Sequence, residues 1–257
     1  METVLFREAT FDTGQVVLNY AEGSASGPPL VMLHGGSGRW QLYCGMLAEL
    51  AKRCHVYAPD LRGHGKSGWV PWGYTIRDYV EDITAFLRQV SGPAVLMGHS
   101  LGGIIAVATT KACPDLVHAL IVVDSPLDAT TWGQGLRNGR GQLAAWRALS
   151  GGRHPVEEIE RLLGDAPEGN ATLREIFGEG SPIIHELAER LYLHDPDMLG
   201  MLIEDYENVA AGYDMETVLP AIHCPVLLVQ ADPAAGVDPA PRAHPQALFR
   251  HGPYVDL

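Results

Sequence analysis

The sequence lacks several features that would assign it to a specialised class of protein. It has four cysteines in 257 residues, and no two of them form a C-x-x-C pair. This spacing argues against a disulfide scaffold and a zinc ribbon, and we expect free thiols in a reducing compartment. No apolar run approaches the length of a membrane span. The first residues carry charges where a secretory signal has its apolar core, so we expect a cytoplasmic protein with no membrane partner.

Basic residues are also scarce, and the deficit lies in one part of the chain. The formal net charge is −13. Residues 157–216 hold 16 acidic and 3 basic side chains, whereas the rest of the chain holds 15 of each. We interpret the acidic stretch as a solvated helical face, and because nucleic acid requires a basic surface, we expect no nucleic-acid partner. The eleven histidines form no H-E-x-x-H motif, so we predict neither a metal nor a cofactor.

Short apolar runs alternate with helical periodicity through most of the chain. Five runs are typical of buried strands, and they lie at residues 28–36, 54–60, 93–100, 117–126 and 224–232. Helical spacing appears at residues 41–52, 75–90 and 101–113. Two β-rich segments at residues 3–10 and 15–21 predict a hairpin. The alternation predicts an α/β fold with a mostly parallel sheet that helices cover on both faces.

The strand signal disappears between Leu127 and Leu219. Apolar residues there recur three and four positions apart, which is typical of helices. We predict a helical lid inserted over residues 127–219, starting with the glycine-rich stretch "WGQGLRNGRG". The core of the fold is then predicted to comprise residues 1–126 and 220–257.

The stretch Gly98-His99-Ser100-Leu101-Gly102 matches the pattern G-x-S-x-G between a strand-like run and a helix-like run. A serine presented on a sharp strand-to-helix turn needs glycine two residues before and after it, because the turn crowds both positions. At the start of the helix, the Leu101 N–H and the helix dipole would favour a developing oxyanion. We predict that Ser100 is a nucleophile and that His99 lies beside it without acting as its base.

Three sequence blocks resemble the α/β-hydrolase family, in the order in which that family carries them. They are "LHGGSGRW" (Leu33–Trp40), "DLRGHGKS" (Asp60–Ser67) and "GHSLGG" (Gly98–Gly103). The resemblance is to the lid-bearing serine esterase and peptidase-like branch, and it extends roughly from Val16 to Asp232. It implies the α/β-hydrolase fold and the chemistry of a serine hydrolase.

The resemblance also implies roles for individual residues. The backbone N–H of Gly36 corresponds to the second oxyanion donor. His34 corresponds to a side chain that anchors the loop and takes no part in proton transfer. Asp60, Arg62 and His64 correspond to residues that organise a neighbouring loop.

An acid and a base are needed to activate a serine hydroxyl. The family position for the acid, after the strand that follows the lid, is matched by Asp232, and Asp124 is the alternative at the end of the preceding strand. No glycine-histidine turn follows Asp232, and two histidines remain. For the base we choose His251, because it follows the strand-like "ALF", with His244 as the second choice. Composition changes abruptly near Gly236, so we expect either a naturally shortened chain or a last segment from a shifted reading frame.

The function predicted is a serine hydrolase that acts on a small ester or related carbonyl substrate through an acyl-enzyme on Ser100. The alternative is a ligand-binding protein that keeps the pocket but lacks the triad histidine. An acyltransferase or a cofactor-free haloperoxidase would share the same triad. We expect a small, neutral substrate and a monomer or homodimer. Trp40, Trp132 and Trp146 either line the pocket or pack in the core.

Overall fold

The structure is a computed structural model that describes residues 6–23, 26–168 and 171–230. The strands within these residues are β1 (Arg7–Asp12), β2 (Val17–Gly23), β3 (Pro29–Leu33), β4 (His55–Pro59), β5 (Ala94–His99), β6 (Val117–Val123), β7 (Pro167–Glu168), β8 (Ala171–Thr172) and β9 (Val226–Val229). The helices are α1 (Cys44–Leu50), α2 (Ile76–Phe86), α3 (Leu101–Ala112), α4 (Ala129–Asn138), α5 (Arg140–Leu149), α6 (Val156–Gly164), α7 (Leu173–Phe177), α8 (Pro182–Tyr192), α9 (Pro196–Glu204), α10 (Tyr206–Val209) and α11 (Met215–Val218).

Seven strands form one sheet in the order β1-β2-β4-β3-β5-β6-β9. The five strands from β4 to β9 in this order are parallel, and β2 is antiparallel to both of its neighbours. Alternate side chains of β3 enter two cores: Met32 packs with Leu47 of α1, whereas Val31 belongs to the core that α2 and α3 cover. The prediction of a mostly parallel sheet covered on both faces is confirmed.

Strand β1 ends at Asp12 and β2 ends at Gly23, each two residues later than the sequence predicts. The reason is Thr13, which closes the turn: its N–H donates to the Val16 carbonyl at 2.9 Å, and its hydroxyl accepts the Val16 N–H at 3.1 Å. Gly14 supplies the positive φ of 90° within this turn.

The parallel strands end together at one edge of the sheet. Leu33 of β3 lies opposite Gly98 of β5, and Val123 of β6 lies opposite both His99 of β5 and Val229 of β9. The described loops after β3, β5 and β6 therefore meet, and open α/β sheets bind their ligands at this edge.

Helices α4 to α11 occupy the chain between β6 and β9, and we call residues 127–219 the helical segment. The glycine-rich stretch at residues 132–141 is mostly helical, because the Asp128 carboxylate caps α4 by accepting the Thr130 and Thr131 N–H groups. A two-residue ribbon, β7 with β8, lies where the sequence predicts no strand. Helices α6 and α8 share a small core of their own. The limits of a lid at residues 127 and 219 stay a prediction.

The loop after β4 is organised by buried polar contacts. Arg62 forms a two-point ion pair with Asp82, at 2.6 and 2.7 Å. The Asp60 carboxylate accepts the backbone N–H of Trp40 at 2.9 Å and that of Lys66 at 3.1 Å. These contacts hold the loop in place and leave both side chains occupied.

All four cysteines are free thiols. Among the described residues, no helix is both long and apolar enough to cross a membrane.

Candidate active site

Ser100 occupies the sharp turn between β5 and α3. Its backbone has φ 52° and ψ −119°, a strained conformation for a residue other than glycine. A Cβ on Gly98 would lie 2.1 Å from the Gly102 carbonyl oxygen, and a Cβ on Gly102 would lie 2.4 Å from the Leu33 carbonyl oxygen. The turn is held by the Ser100 N–H, which donates to the Val123 carbonyl at 3.0 Å. We call residues 98–102 the elbow.

The loop after β3, residues 34–38, runs beside the elbow, and we call it the glycine loop. His34 is buried, and its Nδ1–H donates to the Gly35 carbonyl at 2.8 Å while its Nε2 accepts the Leu61 N–H at 2.9 Å. The Gly38 N–H donates to the same carbonyl at 3.0 Å. Because a peptide unit is planar, fixing the Gly35 carbonyl also fixes the direction of the Gly36 N–H. His34 is thus an anchoring side chain with both ring nitrogens occupied.

The elbow and the glycine loop line one cavity of about 170 Å³. Gly36, Ser100 and Leu101 all line it, together with Ser37. The structure therefore brings together three of the residues that the sequence analysis selects. Leu101 is the first residue of α3, where backbone N–H groups have no acceptor within the helix and the helix dipole favours negative charge.

The rest of the described cavity wall is apolar. Trp132 and Leu136 of α4, Leu143 and Trp146 of α5, and three residues of α9 form it. Trp40 does not line this wall but packs against Phe6 at a ring distance of 5.8 Å. The sequence gives no signal for the leucines, because apolar residues at helical spacing look the same whether they face a core or a cavity.

Positive φ angles mark the same edge of the sheet. Of the four non-glycine residues with positive φ in the described chain, three follow parallel strands here: Ser37 (49°), Ser100 (52°) and Asp124 (41°). Strained residues of this kind concentrate at functional sites, where the surrounding structure enforces them. The Asp124 N–H donates to the Val229 carbonyl at 2.7 Å, which ties this residue to the end of β9.

His99 neighbours Ser100 in the elbow and contacts an aromatic side chain. Nδ1 of His99 lies 2.8 Å from Oη of Tyr43, and the same Oη accepts the Gly35 N–H at 3.4 Å. Burial lowers the pKa of the His99 imidazole, and the charge of Asp124 partly opposes that shift. Since Nδ1 is engaged with Tyr43, it is not free to take a proton from Ser100.

The predicted acid and base are not among the described residues. Asp232, His251 and the second choice His244 lie in residues 231–257, outside the described part of the chain. Their roles stay predictions. Within the residues that the structure does describe, no group of three or more His, Cys, Asp or Glu side chains could hold a metal ion.

Three buried imidazoles contact one another in tilted and edge-to-face arrangements where the helical segment meets the core. The rings of His34 and His64 are 5.1 Å apart, and those of His64 and His194 are 4.4 Å apart. Each Nδ1–H donates to a backbone carbonyl at 2.8 Å. Burial lowers the pKa of all three imidazoles, and that of His194 falls to about 4.

We expect acid to destabilise the protein through these imidazoles, with the free energy of unfolding falling as the pH drops from 6.5 towards 4. The unfolded chain binds protons at histidine near pH 6.5, whereas the folded chain resists protonation until a much lower pH. For His194 alone, a pKa of about 4 in place of 6.5 corresponds to a loss of about 3 kcal/mol. Above pH 7 the imidazoles are neutral in both states and add no pH dependence. Urea unfolding between pH 7 and pH 4.5 measures the effect.

The matched variants for this experiment are His194→Asn and His118→Asn. His194→Asn keeps a donor near the position of Nδ1 but removes the titrating ring, so the slope of unfolding free energy against pH should fall by about 1.4 kcal/mol per pH unit. His118 is exposed on β6, and its replacement should leave the wild-type slope. Equal slopes for the wild type and His194→Asn would contradict the prediction.

Comparison with known proteins identifies a family and individual proteins whose sequences are similar to this one. The sequence profile of the alpha/beta hydrolase family matches residues 30–256. Over 114 residues the chain is 35% identical to the 2-(acetamidomethylene)succinate hydrolase of Mesorhizobium japonicum, a match that covers 44% of this chain and 41% of that protein. Over 102 residues it is 40% identical to the lipase LipV of Mycobacterium tuberculosis, covering 38% of each. The chain thus spans about two fifths of the length of these curated relatives.

Solved structures extend the likeness of fold to nearly the whole chain. The crystal structure of E-2-(acetamidomethylene)succinate hydrolase matches with a TM-score of 0.71 at 22% identity, covering 98% of this chain and 91% of that one. At this level of identity the likeness concerns the fold alone.

Proposed function

The chain belongs to the alpha/beta hydrolase family, and from that premise we propose that it is a serine hydrolase that forms an acyl-enzyme on Ser100. The observation that carries the proposal is the strained turn at Ser100, which borders a cavity that Gly36 and Leu101 also line. The names of similar proteins, a hydrolase and a lipase, support hydrolysis as the class of reaction.

In the proposed reaction, Ser100 Oγ attacks the carbonyl carbon of an ester while a histidine takes the hydroxyl proton. The N–H groups of Gly36 and Leu101 stabilise the negative charge that develops on the carbonyl oxygen. The histidine then gives its proton to the departing alcohol. Water, deprotonated by the same histidine, finally attacks the acyl-enzyme and releases the carboxylic acid.

We propose that the base comes from the segment after β9, with His251 as first choice and His244 as second. The two described histidines of the glycine loop and the elbow are engaged elsewhere. His34 uses both ring nitrogens in hydrogen bonds to backbone groups, and Nδ1 of His99 bonds to Tyr43. These contacts support a base from outside the described residues.

For the acid that orients the base, the described geometry supports Asp124. It directly follows β6, which pairs with the strand that leads to Ser100, and its backbone has a positive φ. Asp232, the first choice from the sequence, also follows a parallel strand of this edge but lies outside the described residues. Amide variants of the two residues distinguish them.

We further propose that the helical segment acts as a lid and that the acyl group of the substrate is uncharged. Helices α4, α5 and α9 supply a wall of tryptophan, leucine and methionine. A cavity of 150 Å³ with apolar walls accommodates benzene, so the cavity here, of about 170 Å³, suits a phenyl ring or a chain of about six carbons. A carboxylate held against this wall would lose its hydration without gaining a partner there.

A panel of p-nitrophenyl esters tests the proposal. We expect turnover to be greatest for the hexanoate and phenylacetate. For the monoadipate, in which a carboxylate replaces the terminal methyl group of the six-carbon chain, kcat/KM should fall at least about tenfold. Leu143→Ala should shift the optimum towards longer chains, whereas Leu149→Ala, in the neighbouring core of α6 and α8, should not.

Two results would contradict the proposal. Faster turnover of the monoadipate than of the hexanoate would overturn the uncharged acyl group. No turnover of any ester, with phenylacetamide still quenching the fluorescence of the cavity tryptophans, would favour the binding protein without catalysis.

A further inference from the structure

The two proposed oxyanion donors belong to segments that follow different strands. Gly36 lies in the glycine loop after β3, and Leu101 lies in the elbow after β5. Both N–H groups must point at one oxygen atom, so the spacing between loop and elbow decides whether they act together. The two segments are in close contact: a Cβ on Gly35 would lie 2.9 Å from Nδ1 of His99 and 3.1 Å from Cβ of Ser100.

A side chain from a third segment connects the loop to the elbow. Tyr43 ends the 3₁₀ turn Trp40–Tyr43, directly before α1. Its Oη lies 2.8 Å from Nδ1 of His99 in the elbow and accepts the N–H of Gly35 in the glycine loop at 3.4 Å. We assign the Oη proton of Tyr43 to Nδ1 of His99, so that Nδ1 is the acceptor and the neutral imidazole carries its proton on Nε2.

We propose that Tyr43 and His99 are positioning residues that hold the glycine loop at a fixed spacing from the elbow, and thereby align the Gly36 and Leu101 N–H groups on the same oxygen. This inference rests on the proposed acyl-enzyme chemistry at Ser100. The peptide unit that carries the Gly36 N–H is fixed on one side by the hydrogen bond from His34 to the Gly35 carbonyl. Tyr43 holds the preceding peptide unit, through the Gly35 N–H, against the elbow.

Tyr43→Phe removes one oxygen atom and tests the inference directly. Loss of one oxyanion donor lowers kcat by about 10² to 10³-fold, and displacement of a donor should lower kcat by a smaller factor. We expect kcat on p-nitrophenyl hexanoate to fall about tenfold, with KM within twofold of the wild-type value, because the acyl wall does not contain Tyr43. The rate of Ser100 inactivation by an alkyl fluorophosphonate should fall by a similar factor, since it uses the same two amides.

Variants of His99 show whether the hydrogen bond itself matters. His99→Asn places an amide oxygen near the position of Nδ1 and can still accept from Tyr43, so it should retain most of the wild-type kcat. His99→Leu cannot accept and should match Tyr43→Phe. In the double variant Tyr43→Phe/His99→Leu we expect no further loss, because either change alone already breaks the bridge from the glycine loop to the elbow.

Tyr57 offers a matched control, because its Oη forms a similar hydrogen bond with Nδ1 of His55, at 3.3 Å and away from the cavity. Tyr57→Phe should leave kcat unchanged. Wild-type kcat in Tyr43→Phe, or fully additive losses in the double variant, would overturn the inference. Ester turnover that survives Ser100→Ala would instead overturn the proposed function, so the two failures are distinguishable. Urea unfolding of each variant shows whether a lower kcat reflects loss of the fold.

Discussion

Replacing Ser100 with alanine is expected to lower kcat/KM on p-nitrophenyl hexanoate by at least about a thousandfold. Without Oγ no acyl-enzyme can form, and only binding and the two backbone amides remain to accelerate direct attack by water. KM should change little, because the wall that contacts the acyl group is intact. The fold should also persist, since alanine keeps the backbone hydrogen bond from residue 100 to the Val123 carbonyl.

Covalent labelling provides the second measurement on this variant. An alkyl fluorophosphonate should add once to the wild-type protein, on the peptide that contains Ser100, and should not add to Ser100→Ala. Ser37 is a suitable control because it lines the same cavity and its hydroxyl donates to the Gly36 carbonyl at 2.8 Å. Ser37→Ala should still be labelled. Label on any other serine, or turnover that persists in Ser100→Ala, would contradict the nucleophile assignment.

The sequence predicts the sheet well because the central parallel strands β3 and β4 are buried on both faces. Runs such as Val226–Val229 and Pro29–Leu33 are continuously apolar, and glycine or proline marks the ends of several such runs. The elbow is predictable for a different reason. Only glycine fits at positions 98 and 102, so the two glycines in the sequence predict the sharp turn between them.

Other features depend on contacts that a sequence does not reveal. Tyr43 and His99 are 56 positions apart in the chain but form a hydrogen bond, and the sequence contains no pattern that predicts this contact. Asp124 has a strained φ, and its N–H donates to the carbonyl of Val229, about a hundred residues further along the chain. The apolar residues of α9 serve both the main core and the cavity, so their spacing shows a helix without showing which face meets a substrate.

The two candidate acids, Asp124 and Asp232, differ in how closely each follows the end of a parallel strand. Residues that follow parallel strands lie at the same edge of the sheet. Strand β6 ends beside β5, which leads into the elbow, and β9 ends beside β6. Asp124 follows β6 by one residue and carries the strained backbone. Asp232 follows β9 by three residues and lies outside the described residues. The position of Asp124 directly after β6 and its strained backbone together favour it as the acid that orients the base.

We therefore expect Asp124→Asn to lower kcat by up to about 10⁴-fold, the effect of the corresponding change in a serine triad. The amide keeps the size of the side chain but cannot stabilise the imidazolium that forms when the base takes the Ser100 proton, and it favours the wrong tautomer of the base. Asp232→Asn is the matched variant, and its kcat should stay within a few-fold of the wild-type value. Both variants should still bind phenylacetamide, because each carboxylate is replaced by an amide of the same size. The reverse result, with a large loss in Asp232→Asn and little in Asp124→Asn, would return the acid to the strand after the helical segment and leave the strain at Asp124 with a structural role alone.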